Sequence, residues 1–171
     1  SIQLPNTLSE IHADAFALSR LKRISIPDSV KVICSEFCMG CHFLEEVKWS
    51  KSATVIPDSA FQYCASLKRI TNIDSVEMIL PSAFEYTGFS SFILPRNIKA
   101  LNKYAFANCD YLKTVKMTRV PYVQKDTFAN SNNVQINCRG STKAAFWAKM
   151  SGLPIYNPAH NELNAFLADM D

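Results

Sequence analysis

The sequence predicts an α/β solenoid: a right-handed coil of short repeats, with a short-stranded parallel sheet on one face and a C-terminal helical cap. Three observations predict it. A phenylalanine-centred pattern recurs six times at a period of 22 or 23 residues where the spacing is cleanest. Copies of it end in short stretches of alternating apolar residues. After Ile136 the pattern gives way to two stretches with helical spacing.

The marker of each repeat is Phe16, Phe61, Phe84, Phe106 or Phe128, with intervals of 23, 22 and 22 residues from Phe61 onward. Five residues earlier stand Ile11, Ile33, Ile56, Ile79, Leu101 and Val123, and eight earlier Leu8, Val30, Ala53, Val76, Ile98 and Val120. This alignment puts Cys38, not Phe37, in the second marker slot. Either Phe37 turns inward beside Cys38, or a one-residue bulge shifts the chain. A unit this short cannot bury its own apolar face and must stack on its neighbours.

The segments Ile24/Ile26, Val47/Trp49, Phe92/Leu94 and Val115/Met117 alternate with period two and read as short strands. Pro27 and Pro95 follow two of them, at positions where the missing N–H does no harm to a ladder. Stacked at ~4.8 Å per coil, six copies make a sheet roughly 24 Å wide. The segment SEIHADAF and its equivalents should form a tight turn or one helical turn. Ala15, Ala60, Ala83 and Ala105 stand before the marker there, small enough for close approach of neighbouring coils. The first and fourth copies lose one residue after the marker, and the third adds one at Asn72–Ile73; such slack costs little in a solenoid.

Three residues past the marker the chain carries Ser19, Cys41, Cys64, Thr87, Cys109 and Ser131, small side chains able to donate weakly to turn carbonyls. The expected structural core is Phe16, Cys41, Phe61, Cys64, Phe84, Phe106, Cys109 and Phe128, with the thiols reduced. The array should span residues 1–136. A cap follows at 137–157, with a helix from Ser141 to Gly152 presenting Phe146, Trp147 and Met150. An amphipathic helical tail is expected at 158–171. Leu163, Phe166, Leu167 and Met170 form its stripe, a candidate for self-association.

Eighteen Lys and Arg against 15 Asp and Glu give a formal charge of +3, far below the basic density of a nucleic-acid binder. No apolar run of about 18 residues is present to insert in a membrane. The first residues lack the basic start and apolar core of a secretion signal, which says little about location.

Cys34, Cys38 and Cys41 have the C-x3-C-x2-C spacing that holds an iron–sulfur cluster in some enzymes. Cys38 and Cys41, however, fall in repeat slots that stacking already explains, and the same reasoning disfavours zinc held with His42. His12, His42 and His160 have no carboxylate or nucleophile at a telling sequence spacing. No nucleophile-elbow, zinc-protease or phosphate-loop motif occurs. The expectation is a non-enzyme with no cofactor and no metal.

With the I-x-I residues facing inward, the sheet's outer face should present Arg23, Ser25, Lys48, Arg69, Thr71, Ile93 and Lys116. That face is either simply solvated or a rigid surface for a protein partner.

The unit L-x2-I-x4-AF-x2-C-x2-L-x2-I-x-IP, clearest in SVEMILPSAFEYT, NIKALNKYAFANCDYLKTVKM and LKRISIPDSVKVI, resembles the BspA-like, Treponema pallidum-type leucine-rich repeats over residues 1–136. The following VQINCRGSTKAAFWAKMSGLPIY looks like the closing segment of such arrays. The resemblance implies a leucine-rich-repeat coil and a surface-associated or secreted adhesion-type module that engages a host or matrix protein through its sheet face. The alternative is a structural or intracellular scaffold that self-associates weakly through the C-terminal helix. No nucleic-acid partner is expected.

Overall fold

The computed structural model describes residues 2–118, 121–138 and 155–156. Numbered in chain order, the strands fall on two faces. One face carries β1 (Ile2–Gln3), β3 (Arg23–Ser25), β5 (Glu46–Lys48) and β7 (Arg69–Thr71), hydrogen-bonded in that order. It continues with β9 (Ser91–Ile93), β11 (Thr114–Met117), β13 (Gln135–Cys138) and β14 (Ile155–Tyr156), a second four-stranded sheet. The other face carries β2 (Glu10–Ile11) and β4 (Val32–Ile33) as a pair. Beyond them β6 (Val55–Ile56), β8 (Met78–Ile79), β10 (Ala100–Leu101) and β12 (Tyr122–Val123) form a ladder. All pairings are parallel and set like on like: Ile24, Val47 and Ile70 align, as do Phe92, Val115 and Ile136.

The expected α/β class is corrected: among the described residues there is no helix, and the fold is a pure β-solenoid. The corners show why. In the fifth coil, Ala105 and Ala107 N–H close turns on the Asn102 and Tyr104 carbonyls, at 3.1 and 3.0 Å. The alternate donors, Tyr104, Phe106 and Asn108, leave the coil and bond Asp126, Thr127 and Ala129 of the next one, at 3.2, 2.9 and 2.8 Å. A helix would need every N–H for its own carbonyl four residues back.

The backbone agrees with that hydrogen-bond pattern. Tyr104 and Asn108 take φ of 59° and 54°, and the equivalent pairs Ser59/Tyr63 and Ser82/Tyr86 do the same. A left-handed non-glycine residue costs ~1–2 kcal/mol, and the bonds between coils hold it there. The expected helical cap is corrected likewise. Within 137–157 the described part is strand: β13 runs to Cys138, and β14 pairs with it through Ile136–Ile155 and Asn137–Tyr156. The Ser141–Gly152 helix and the 158–171 tail lie outside the described residues.

Cys38 holds the marker slot in unbroken register. Its N–H bonds Ala60 O at 3.2 Å, as Phe61 N–H bonds Ala83 O and Phe84 N–H bonds Ala105 O, both at 2.9 Å. Phe16 N–H likewise bonds Phe37 O at 2.7 Å. The swap is thus the answer, not a bulge. Phe37 is fully buried, edge-on to Phe61 at 5.2 Å and to Trp49 at 6.0 Å between centroids.

Phe61, Phe84, Phe106 and Phe128 stack along the axis at 5.5, 5.3 and 5.6 Å between successive rings. Aromatic pairs of this kind are worth ~0.5–1.5 kcal/mol beyond the area they bury. Cys41, Cys64 and Cys109 are buried with them, whereas Phe16 is half-buried.

Candidate protein-binding face

Along β3, β5 and β7 the inward residues Ile24 and Val47 are buried while their neighbours face solvent. The structure brings Arg23, Ser25, Lys48, Arg69 and Thr71 together on the first sheet and puts Ile93 and Lys116 on the second. All are exposed except the half-buried Thr71. The positive charge is partly matched: Glu46 Oε2 lies 3.9 Å from Arg23 Nε, and its Oε1 lies 3.4 Å from Arg69 Nε. Exposed pairs of this type contribute little stability but fix the pattern of charge.

The predicted continuous sheet is interrupted between β7 and β9. The residue added in the third copy, Asn72, takes φ of 62° directly after β7. Asn is one of the few residues that enters this conformation readily, and it turns the chain out of the ladder before a β9 pairing can form. The interruption opens a cleft of about 430 Å³ lined by Arg69, Thr71, Asn72, Ile73, Phe89 and Ile93 among others. Ile93 is 64% exposed at its edge. Arg69, Thr71 and Ile93, three residues picked out by alternation alone, therefore share one cavity.

A second surface feature escaped the strand pattern. Tyr63 and Tyr86, both exposed, stack at 4.9 Å and 19° on the corner side. With Tyr111, His42, Asn108 and Asp110 they border a depression of about 230 Å³. His42 Nδ1 donates to the Tyr63 carbonyl at 3.0 Å. The signal was in the sequence: two residues past the marker, Tyr63 and Tyr86 occupy the same slot of consecutive coils.

The Cys/Ser/Thr column is internal. Cys41, Cys64 and Cys109 Sγ lie 3.0, 3.2 and 3.1 Å from the carbonyls of Phe16, Cys38 and Phe84, and Ser131 Oγ donates to Phe106 O at 2.7 Å. Hydrogen bonding toward Cys41, with burial, pushes the Cys38 and Cys64 thiols up, and the same bonds hold Cys41 down. The contact of Cys41 with the Phe16 carbonyl is favourable only for the protonated thiol, so we read the column as neutral. Burial raises Cys109 as well. Buried thiols of this kind pack; they do not react. Cys34, Cys38, Cys41, Cys64 and Cys109 are all free. Leu163, Phe166, Leu167 and Met170 lie outside the described residues.

Stacked parallel coils, a closed aromatic interior and a broad outer sheet define a non-catalytic repeat domain of the protein-interaction type. The chain belongs to the BspA-type leucine-rich-repeat family, whose six-copy model matches residues 1–86 and 32–146. Among solved structures it is similar to a leucine-rich repeat protein from Bacteroides ovatus: 22% identity, TM-score 0.61, covering 92% of this chain and 48% of that one. It is similar also to the leucine-rich repeat protein of T. pallidum: 20% identity, TM-score 0.61, covering 68% and 58%. The pneumococcal vaccine antigen PcpA gives 18% identity, TM-score 0.63, and coverage of 81% and 42%. At these identities the likeness is one of fold, and the chain spans about half the length of these proteins. No curated protein matches the chain. No helix among the described residues is long and apolar enough to cross a membrane.

Proposed function

We propose that this domain is a surface-associated or secreted adhesion-type module that binds a host or matrix protein through its outer sheet face. One observation carries the reading: the cleft between β7 and β9, where an exposed Ile93 stands beside Arg69 and Thr71 on a rigid frame. Protein interfaces concentrate binding energy in a central apolar anchor within a polar rim, and this cleft has both parts. The family and the fold shared with a protein described as a vaccine antigen support the location.

The test is comparative capture from matrix, cell-surface and cytosolic protein fractions. The wild-type domain is set against Ile93→Lys and against the double variant Lys48→Glu/Lys116→Glu. A matrix or cell-surface protein retained by the wild type and released at least ~10-fold by Ile93→Lys supports the cleft as the anchor. Loss of retention with the double variant alone would move the site to the charged rim. Equal retention of every ligand by all three proteins would remove the sheet face from the function.

A further inference from the structure

We infer that Glu10, His12 and Cys34 form a divalent-metal site, best suited to zinc, at the junction of the first and second coils. One ligand atom from each, a carboxylate oxygen, an imidazole nitrogen and the Cys34 sulfur, all lie within 4.8 Å of one another. Cys34 Sγ stands 3.9 Å from Glu10 Oε1. A tetrahedral zinc with ordinary bond lengths needs ligand atoms ~3.3–3.5 Å apart, so small rotamer shifts close the site.

The fold creates this convergence. Residues two apart along an extended chain share a face, which puts Glu10 and His12 on one side of β2. The β2–β4 register pairs Ile11 with Ile33, and Cys34 N–H bonds Ile11 O at 2.9 Å, bringing the thiol opposite His12. In later coils the same two positions hold Val55 and Pro57, then Met78 and Leu80, which offer no comparable donors.

Across other coils Glu46 meets Arg23 and Arg69, Glu77 Oε2 meets Lys99 Nζ at 2.6 Å, and Glu85 accepts from the side-chain amides of Gln62 and Asn108 at 2.8 and 3.0 Å. Glu10 instead meets a thiol and an imidazole. Thiolate, imidazole and carboxylate together make a borderline donor set that suits zinc and leaves a fourth position for water. Binding replaces the Cys34 thiol proton with the metal and releases that proton to solvent.

The metal would staple the first coil to the second where packing is thinnest. There Ala15 is exposed and Phe16 only half-buried, whereas Ala60, Ala83 and Ala105 and their markers Phe61, Phe84 and Phe106 are buried. The experiment uses the reduced, metal-free chain, titrated with Zn2+ against a chromophoric chelator and with Co2+ as a spectroscopic substitute. One equivalent is expected to bind, with a thiolate-to-Co2+ charge-transfer band. Cys34→Ser should abolish the band and weaken Zn2+ by at least ~10-fold, and His12→Gln and Glu10→Gln should weaken it too, while Cys138→Ser keeps both signals. Excess Zn2+ should raise the Tm of the wild type by ~5 °C and leave Cys34→Ser unmoved. Absence of Zn2+ binding, or binding and band unaffected by Cys34→Ser, overturns the site. An equal Tm rise in both proteins overturns the staple.

Discussion

Phe16 and Phe106 occupy the same slot of the repeat, yet they do different physical work. Phe106 is fully buried, stacked between Phe84 and Phe128 and met edge-on by Phe92 at 4.8 Å. Phe16 is half-buried, and Ala15 before it is exposed where Ala60, Ala83 and Ala105 are fully buried. A repeated sequence does not repeat its energy. A marker gains its full worth only when coils lie on both sides of it, which is what a one-dimensional stack of nearest-neighbour interfaces implies.

The sharpest way to break this comparison is to truncate both rings. Phe106→Ala should cost ~3–5 kcal/mol in urea unfolding, because it leaves a cavity that two neighbouring coils cannot fill. Phe16→Ala should cost less, ~1–2 kcal/mol, since part of that ring stays in water and the gap it leaves opens to solvent. Equal losses at the two sites would mean that the first coil is as well packed as the fifth, and the contrast would collapse.

A smaller effect is expected where the third and fourth coils meet. Gly88 is buried, and a Cβ added there would run into the Ala65 carbonyl oxygen, a backbone atom that cannot swing aside. Gly88→Ala should cost ~1–3 kcal/mol as the coils shift to relieve the overlap. Gly40 sharpens the point. Its added Cβ would meet the flexible end of the exposed Leu18, and its φ of 69° is one that Tyr63 and Tyr86 already tolerate in the same slot. Gly40→Asn should therefore cost less than Gly88→Ala, measured by the same unfolding midpoints.

What the spacing revealed and what it hid follow from the same division between interior and surface. The marker column and the strand alternation were legible because burial imposes strict residue types at Phe61, Phe84, Val47 and Val115. Even the Phe37–Cys38 exchange could be reduced to two alternatives. The helix-free corners were not legible. Left-handed backbone usually announces itself by glycine, and here Glu36, Ser59, Tyr63 and Tyr104 adopt it under the pull of bonds from the next coil. The added Asn72 was visible as slack, but its left-handed φ, and so the split sheet and the cleft beside Ile93, depends on coordinates. The stacked pair Tyr63–Tyr86 lay in a corner column that strand alternation does not address. Glu10, His12 and Cys34 converge only once two coils are laid on one another, which no local spacing reports.

The mildest expected effect tests whether the interior column is neutral. Cys109 is 1% exposed, its Sγ lies 3.1 Å from the Phe84 carbonyl and 3.4 Å from Thr87 Oγ1, and burial raises its pKa above the ordinary 9.0. The sign follows from proton counting. Above pH 9 the unfolded chain has released this proton while the folded chain still holds it, so stability falls as pH rises. Below pH 8 both states are protonated and the thiol adds no slope. Cys109→Ser keeps a small donor of the kind found at Ser19 and Ser131 but does not titrate. The stability of the wild type relative to this variant should be flat from pH 6 to 8 and then decline by up to about 1.4 kcal/mol per pH unit above 9. Every other side chain is common to both proteins and cancels in the difference. A difference that stays constant through pH 10.5 would show that Cys109 meets water as readily folded as unfolded, and the closed interior that separates Phe106 from Phe16 would lose its chemical signature.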